Sequence, residues 1–420
     1  MLDINLIRKN PQKVKDALVK RGKDSSLLDR FYELDSRWRA IVQQSDELRS
    51  KQKQAAQERN QEKGKELKEQ LKKFEENVSE LERERYVLLL EFPNIPFDDV
   101  LVGPDESHNK SIRTHGEKPV FDFVVKDHME LGEALGIINT KQAAEVSGAR
   151  FYYLKNKGAL LELALIRYAF DILTQEGFEA VIPPVMIRPD TYERMGRLTD
   201  SQKEERYYLP KDDLYLVGSA EHTLGPLHMD ETFTLDQLPK EYVGFSTCFR
   251  REAGSYGKDT KGILRVHQFD KVEMYAFCNP EKSEEEHKRL LAMQEKLFSG
   301  LKLPYQVVEI CTGDMGPTDA RQFDIEAWIP SQQIYREVAS CSNTTDYQTR
   351  GINTKIKHAD GKTEFAHALN ATALAMSRTI IAILENYQQK DGSVLIPEAL
   401  QKYTGFNEIL AHKHQAPNPK

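Results

Sequence analysis

A chain of 420 residues is long enough for two or more domains and a large core. Its 59 Lys and Arg stand against 66 Asp and Glu, a formal charge of −7, so no global basic field advertises a nucleic-acid partner and any RNA contact must be local. The cysteines Cys248, Cys278, Cys311 and Cys341 lie far apart, which excludes zinc motifs built on CxxC spacing and fits a reducing compartment.

No apolar run is long enough to span a bilayer. The N-terminal stretch MLDINLIRKNPQKVKDALVKRG lacks a signal-peptide core and carries Asp3 and Asp16, so it is expected to begin a folded domain. From Phe31 the seam positions Phe31, Leu34, Trp38, Ile41, Ser45, Leu48, Gln52 and Ala55 follow in steps of three and four, the spacing of a heptad. After a break at Asn60 to Gly64 the seam resumes at Leu67, Leu71, Phe74, Val78, Leu81 and Leu88 and stops before Pro93. Two helices of about 30 residues, each about 45 Å long, form an antiparallel hairpin over about 27–93. Such a hairpin can be a dimerisation coiled coil, a stalk or an RNA-binding arm. Arg49, Lys51, Lys53, Arg59, Lys63, Lys65, Lys68, Lys72 and Lys73 make its distal third basic, which suits a phosphate backbone.

Residues 93 to about 115 are rich in Pro, Gly, Asp and Asn and read as a linker, placed at 101–118 between an N-terminal domain (1–100) and a body (119–420). In the body, Leu160 to Gln175 is an amphipathic helix, and Phe178 to Met186 a strand bearing Pro183 and Pro184. Strand patterns near 305–311, 322–328 and 334–339 argue for an antiparallel sheet. The order is α+β, without the βαβ rhythm or the glycine signatures of doubly wound nucleotide binders.

The most informative stretch is 242–277. An apolar strand, Tyr242 to Arg250, leads into a loop with Gly254, Gly257, Gly262, Lys258, Lys261 and Arg265. A second strand, Val266 to Phe277, alternates apolar and polar residues and carries Glu273. Arg250 and Glu252 stand where the first strand ends. Arginine offers a planar fork for phosphate or carboxylate, loop glycines allow close backbone approach to an anion, and Phe269 could stack on a base.

This hairpin resembles motif 2 of the class II aminoacyl-tRNA synthetases, specifically of the seryl-tRNA synthetase family. PNIPFDDVLVGPDE (93–106), FDFVVKDHMELGEALGI (121–137), CTGDMG (311–316), YREVASCSN (335–343) and LENYQQKDGSVLIPEAL (384–400) extend the resemblance over essentially the whole chain. It implies an N-terminal coiled-coil arm that binds the long variable arm of tRNA(Ser), and a class II catalytic domain on an antiparallel sheet flanked by helices. It implies a cytoplasmic homodimer joined through motif 1 (about 160–186, with Pro184) and no membrane or DNA partner. The reaction implied is activation of L-serine by ATP with Mg2+, then transfer to tRNA(Ser); tRNA(Sec) stays open as a second acceptor.

By the same resemblance, Arg250 would clamp the α-phosphate and the serine carboxylate. Glu252 would fix the adenine amino group or the terminal adenosine of tRNA, and Phe269 would stack on adenine. Arg251, Arg265 and Val266 would complete the ATP contacts. Arg378, in motif 3 (about 366–388), would hold the γ-phosphate, although Ser377 stands before it where the family has glycine or another small residue. Glu337 and Ser340 would bind the metal, with Val338 and Ala339 beside the phosphates. Glu221 would hold the serine ammonium next to Ser219, where the family commonly has threonine. Glu273 would accept from the serine hydroxyl, with Thr372 and Asn370 closing the pocket. A site built to bond a hydroxyl rejects its absence by about 10⁴ to 10⁵. The arm separates this chain from relatives that charge carrier proteins, and the presence of Arg250, Glu252, Glu273 and Arg378 separates it from inactive ones.

Overall fold

The computed structural model describes residues 1–253 and 262–411; Gly254, Gly257, Lys258 and Lys261 of the motif 2 loop lie outside the described residues. Contacts divide the chain into two units, Met1–Ile95 and Pro96–Lys420.

In the first unit, α1 (Ile4–Lys9) is capped by Asp3, and α2 (Pro11–Lys20) by Asn10 with proline in its first turn. The long helices are α3 (Ser26–Gln57) and α4 (Gln61–Leu90), of 32 and 30 residues. The break is shorter than the sequence pattern predicts. The Asn60 side chain accepts from Lys63 N–H and starts α4 at once, so Gly64 lies inside the helix. Phe31, Ala55, Leu67, Leu71 and Leu81 are buried along the seam. Asp35 is buried there too, wholly shielded from solvent. Arg8 binds it through Nη2 at 2.6 Å and Nε at 3.0 Å. Arg85, from α4, reaches it at 3.1 Å and lies 3.6 Å from the centroid of Trp38. Arg39 adds a contact at 3.1 Å.

The second unit is built on an eight-stranded sheet. Its strands in chain order are β1 (Lys110–His115), β2 (Glu179–Val181), β3 (Lys240–Phe249), β4 (Gln268–Cys278), β5 (Tyr305–Glu309), β6 (Arg321–Ile329), β7 (Ile334–Asn343) and β8 (His367–Ala375). The spatial order is β1-β5-β6-β7-β8-β4-β3-β2. Neighbours are antiparallel except β2 and β3, which run parallel. The sheet corrects two sequence expectations. The stretch 101–118 is not only a linker, because Lys110–His115 forms an edge strand on β5. Every residue of that strand is exposed, so no apolar alternation announces it; its backbone hydrogen bonds hold it. The strand expected over Phe178 to Met186 is cut to Glu179–Val181. Pro183 and Pro184 lack the N–H that would continue the ladder, and Met186–Ile187 joins a separate small sheet.

Helices α5 (Lys157–Gln175), α6 (Ser283–Gly300) and α7 (Met376–Asn386) contribute to the core that covers one face of this sheet. Leu161 and Leu165, Leu290 and Leu297, and Ile380 and Ile383 pack with Met274, Ala339 and Ala371, each buried leucine or isoleucine stabilising by about 1.5–3 kcal/mol. Alternation then decides the site. Along β4, Val272 and Met274 enter this core, so Phe269, Lys271 and Glu273 point to the opposite face and line a cleft. Outside the core, α5 leaves Leu160 and Leu163 exposed, and Ile182 is 82% exposed.

Candidate active site

The cleft has a volume of about 590 Å³. It gathers Ser219, Glu221, Arg250, Glu252, Arg265, Val266, Phe269, Glu273, Glu337, Val338, Ala339, Ser340, Asn370, Thr372 and Arg378 from segments spread over 160 residues of sequence. Arg251 is the exception among the expected residues. Its N–H donates to Glu205 O, and its guanidinium lies 5.5 Å from the Tyr207 ring centroid, outside the cleft lining. Two register shifts shape the floor. One on β8 skips Ala373 and sets Thr372 opposite Glu273; the other on β7 skips Val338 beside Glu337. Such bulges re-aim side chains, and neither is visible in the sequence.

At one end lies a hydroxyl-rich pocket. Glu273 Oε2 accepts from Ser219 Oγ at 3.2 Å and from Thr372 Oγ1 at 3.4 Å, and lies 2.5 Å from Lys271 Nζ. Burial pushes the Glu273 carboxyl up, and Lys271 opposes the shift. Glu221 Oε1 takes Arg197 Nε at 3.0 Å, Arg197 Nη2 at 2.6 Å and Gln348 Nε2 at 2.7 Å. Gln348 in turn accepts from Tyr275 OH at 2.9 Å. Burial alone would raise Glu221, but Arg197, Gln348 and Lys271 together hold it below the ordinary value. Asn370 is buried, and its Nδ2 has no partner among the described residues. His222 Nδ1 accepts from Gly218 N–H at 3.1 Å and from Tyr192 OH at 2.8 Å. Burial, reinforced by Arg206 and Arg197, pushes its pKa well below the ordinary value, so it stands neutral with the proton on Nε2.

At the other end the cleft is cationic. Arg250 Nε donates to Gly218 O at 3.2 Å, and its guanidinium lies 5.4 Å from the Phe269 ring centroid. Its terminal nitrogens have no hydrogen-bond partner among the described residues. Glu252 adopts the left-handed region, φ 52°, and its Oε2 accepts from Arg265 Nη1 at 2.7 Å. Arg378 Nη1 donates to Glu337 O at 3.1 Å and lies 2.9 Å from Glu337 Oε1. Ser340 Oγ donates to the same carboxylate oxygen at 3.3 Å. The Arg378 charge, against burial, holds Glu337 below the ordinary value. Burial and the Glu337 charge push Asp324 well above its own. Glu337 and Ser340 are hard oxygen donors, a set that suits Mg2+ when phosphates supply the remaining ligands. Among the described residues no group of His, Cys, Asp and Glu forms a protein-only metal cage.

Sequence reasoning missed Arg197, Arg206 and Lys271, which line the cleft, and Gln348 behind it. A lone arginine or lysine carries no local signal; only the folded arrangement shows its partner.

A model of the seryl-tRNA synthetase N-terminal domain matches residues 1–96, and one of the tRNA synthetase class II core domain (G, H, P, S and T) matches 205–387. A serine–tRNA ligase of Thermobifida fusca is 44% identical over 415 residues, covering 96% of this chain and 98% of the relative. One of Corynebacterium glutamicum is 43% identical over 426 residues, covering 99% and 100%. The crystal structure of seryl-tRNA synthetase from Pyrococcus horikoshii complexed with ATP superposes with a TM-score of 0.89 at 41% identity, over 98% of this chain and 100% of that one. That of cytoplasmic serine–tRNA ligase from Naegleria fowleri in complex with AMP gives 0.86 at 35%, over 98% and 99%. At such identity over nearly the full length of both chains, and with an arm and an antiparallel catalytic sheet of the same kind, this chain belongs to the seryl-tRNA synthetase family.

Proposed function

We propose that the protein is a serine–tRNA ligase that forms seryl-adenylate from L-serine and ATP and passes the seryl group to the terminal adenosine of tRNA(Ser). The observation that carries this reading is one cleft holding a buried carboxylate ringed by small hydroxyls at one end and, at the other, Arg250, whose terminal nitrogens have no hydrogen-bond partner among the described residues.

In the first step the serine carboxylate attacks the α-phosphorus, an oxygen–phosphorus bond forms, and the bond to the β-phosphate breaks to release pyrophosphate. Such displacement needs alignment and charge neutralisation rather than covalent help. Arg250 bridges the serine carboxylate and the α-phosphate, and its packing near Phe269 sets it beside the adenine platform. Arg265 and Glu252 hold one another at the nucleobase end. Arg378 takes the γ-phosphate. Glu337 and Ser340 would hold Mg2+, which would supply charge neutralisation to the phosphates; Val338 and Ala339 line the same wall. Glu221 receives the ammonium, Glu273 the hydroxyl proton, and Asn370 offers its free Nδ2–H to the substrate. Alanine would leave Glu273 without its substrate bond, the strong form of discrimination. In the second step a ribose hydroxyl attacks the acyl carbon and AMP leaves.

The basic distal third of the arm binds the variable arm of tRNA(Ser), and tRNA(Sec) is a second candidate. The exposed Leu160, Leu163 and Ile182 support a homodimer through this face. The arm domain is Met1–Ile95 and the catalytic domain Pro96–Lys420. Four buried free cysteines support a cytoplasmic setting, and among the described residues no helix is long and apolar enough to cross a membrane. The test is charging of purified tRNA(Ser) with labelled serine; no labelled tRNA from folded protein would overturn the reading.

A further inference from the structure

Every hydrogen bond to the Glu273 side chain falls on one oxygen. Ser219 Oγ, Thr372 Oγ1 and Lys271 Nζ all converge on Oε2, at 3.2, 3.4 and 2.5 Å. Oε1 takes none among the described residues, and it is absent from the buried atoms that lack a partner, so it meets the cleft. The ammonium that dominates this arrangement is itself buried: the Lys271 side chain is 7% exposed. Lys271 stands two residues before Glu273 on the same face of β4, which fixes the pair by strand geometry rather than by a loop. Its ammonium also lies 3.5 Å from Thr372 Oγ1.

A buried lysine is costly unless paired. A carboxylate meant to accept from a neutral hydroxyl has to stay ionised although burial favours its protonated form. One buried ammonium answers both needs. It also occupies one carboxylate oxygen fully, which leaves a single acceptor in a fixed direction.

We infer that Lys271 is a positioning and specificity residue of the serine pocket: it anchors Oε2 of Glu273 so that Oε1 is the one acceptor offered to the substrate hydroxyl. This rests on the ligase reading above. Lys271 is paired with Glu273 and acts on the substrate through it. Its removal therefore moves serine recognition and leaves ATP recognition nearly untouched. It also predicts that the two residues form one functional unit.

The experiment is serine-dependent ATP–pyrophosphate exchange by the full-length protein and by Lys271→Met, Glu273→Gln and the double variant, with the KM for serine and for ATP measured separately. Lys271→Met is expected to raise the serine KM by about 10- to 100-fold, the effect of losing a charge-assisted bond, while the ATP KM moves by less than about threefold. The double variant is expected to lose no more than Glu273→Gln alone, because the lysine has nothing left to anchor. A serine KM within about twofold of the parent, or independent losses that multiply in the double variant, overturns the inference. A parallel rise in both KM values shows general damage to the cleft and overturns it too. If Lys271→Met does not fold, Glu273→Gln and the double variant still decide: an unfolded double variant beside a folded single one assigns Lys271 to stability and not to recognition. Failure of the parent protein to exchange with serine would instead remove the ligase reading itself, a distinct result.

Discussion

The Arg197 guanidinium grips a single oxygen of Glu221, with Nε at 3.0 Å and Nη2 at 2.6 Å, in a pair almost closed to solvent. Arg197 comes from the segment after the helix Pro189–Arg194, and Glu221 opens a short helix over Glu221–Leu224. The pair ties a loop to a short helix at the pocket where the substrate ammonium is placed. A charged acid there both attracts the ammonium and needs a partner when the pocket is empty.

Arg197→Met leaves Glu221 as a buried acid without its main counter-charge. Breaking such a pair from one side costs about 3–5 kcal/mol, so the variant should melt earlier and show a raised serine KM. The pH dependence has a definite sign. Glu221 is held below its ordinary value in the fold, so its contribution is present above about pH 4.5 and fades on acidification. In the variant, burial raises the same group instead. The difference in Tm between parent and variant should be largest near neutrality and shrink toward pH 4; a constant difference would assign Arg197 to packing alone.

Arg250→Ala should reduce adenylate formation by at least about 10²- to 10³-fold, the cost of losing a preorganised charge donor at a developing anion. Its only protein hydrogen bonds among the described residues run to Gly218 O and through the backbone to His267, so thermal unfolding should change little. Pyrophosphate exchange together with a melting curve checks both halves. Retained exchange would remove the assignment of this hairpin.

The lysines Lys51, Lys53, Lys63 and Lys65 are exposed at the far end of the arm. Changing all of them to Gln should weaken tRNA(Ser) binding and flatten its salt dependence, by nearly one logarithmic unit of slope for each phosphate no longer neutralised. Serine activation should be unchanged. Binding isotherms across a salt series read this directly, and an unaltered slope would assign the arm to another role.

Asp35→Asn should destabilise the base of the arm by about 3–5 kcal/mol, because Arg8 and Arg85 lose their shared buried anion. Amide hydrogen exchange over α3 and α4 measures it, with faster exchange expected near Asp35 and unaltered serine activation in the body. Protection equal to that of the parent would show that the apolar seam alone sets the arm.

The sequence made some of this legible and hid the rest for identifiable reasons. The helical hairpin was readable because Phe31, Leu67, Leu71 and Leu81 repeat at heptad spacing, and a seam of that kind has one structural solution. Asp35 was not, because a charged residue between Leu34 and Trp38 reads as a solvated position until Arg8 and Arg85 are brought to it. The β4 alternation sorted Val272 and Met274 from Lys271 and Glu273, yet the bulge that sets Thr372 against Glu273 is a property of two strands and belongs to neither alone. Edge strand β1 escaped detection because every one of its residues is exposed, so no apolar alternation marks it. Arg251 is not among the residues that line the cleft, and its adjacency to Arg250 in the motif gives no sign of that.

The central claim is that this cleft activates serine with ATP. Its most direct test is ATP–pyrophosphate exchange with serine, alanine, threonine and cysteine in parallel, and with Mg2+ omitted in one series. Exchange that requires both serine and Mg2+, with the other amino acids near background, is the predicted result. Exchange no faster with serine than without any amino acid, from a folded protein, would contradict it.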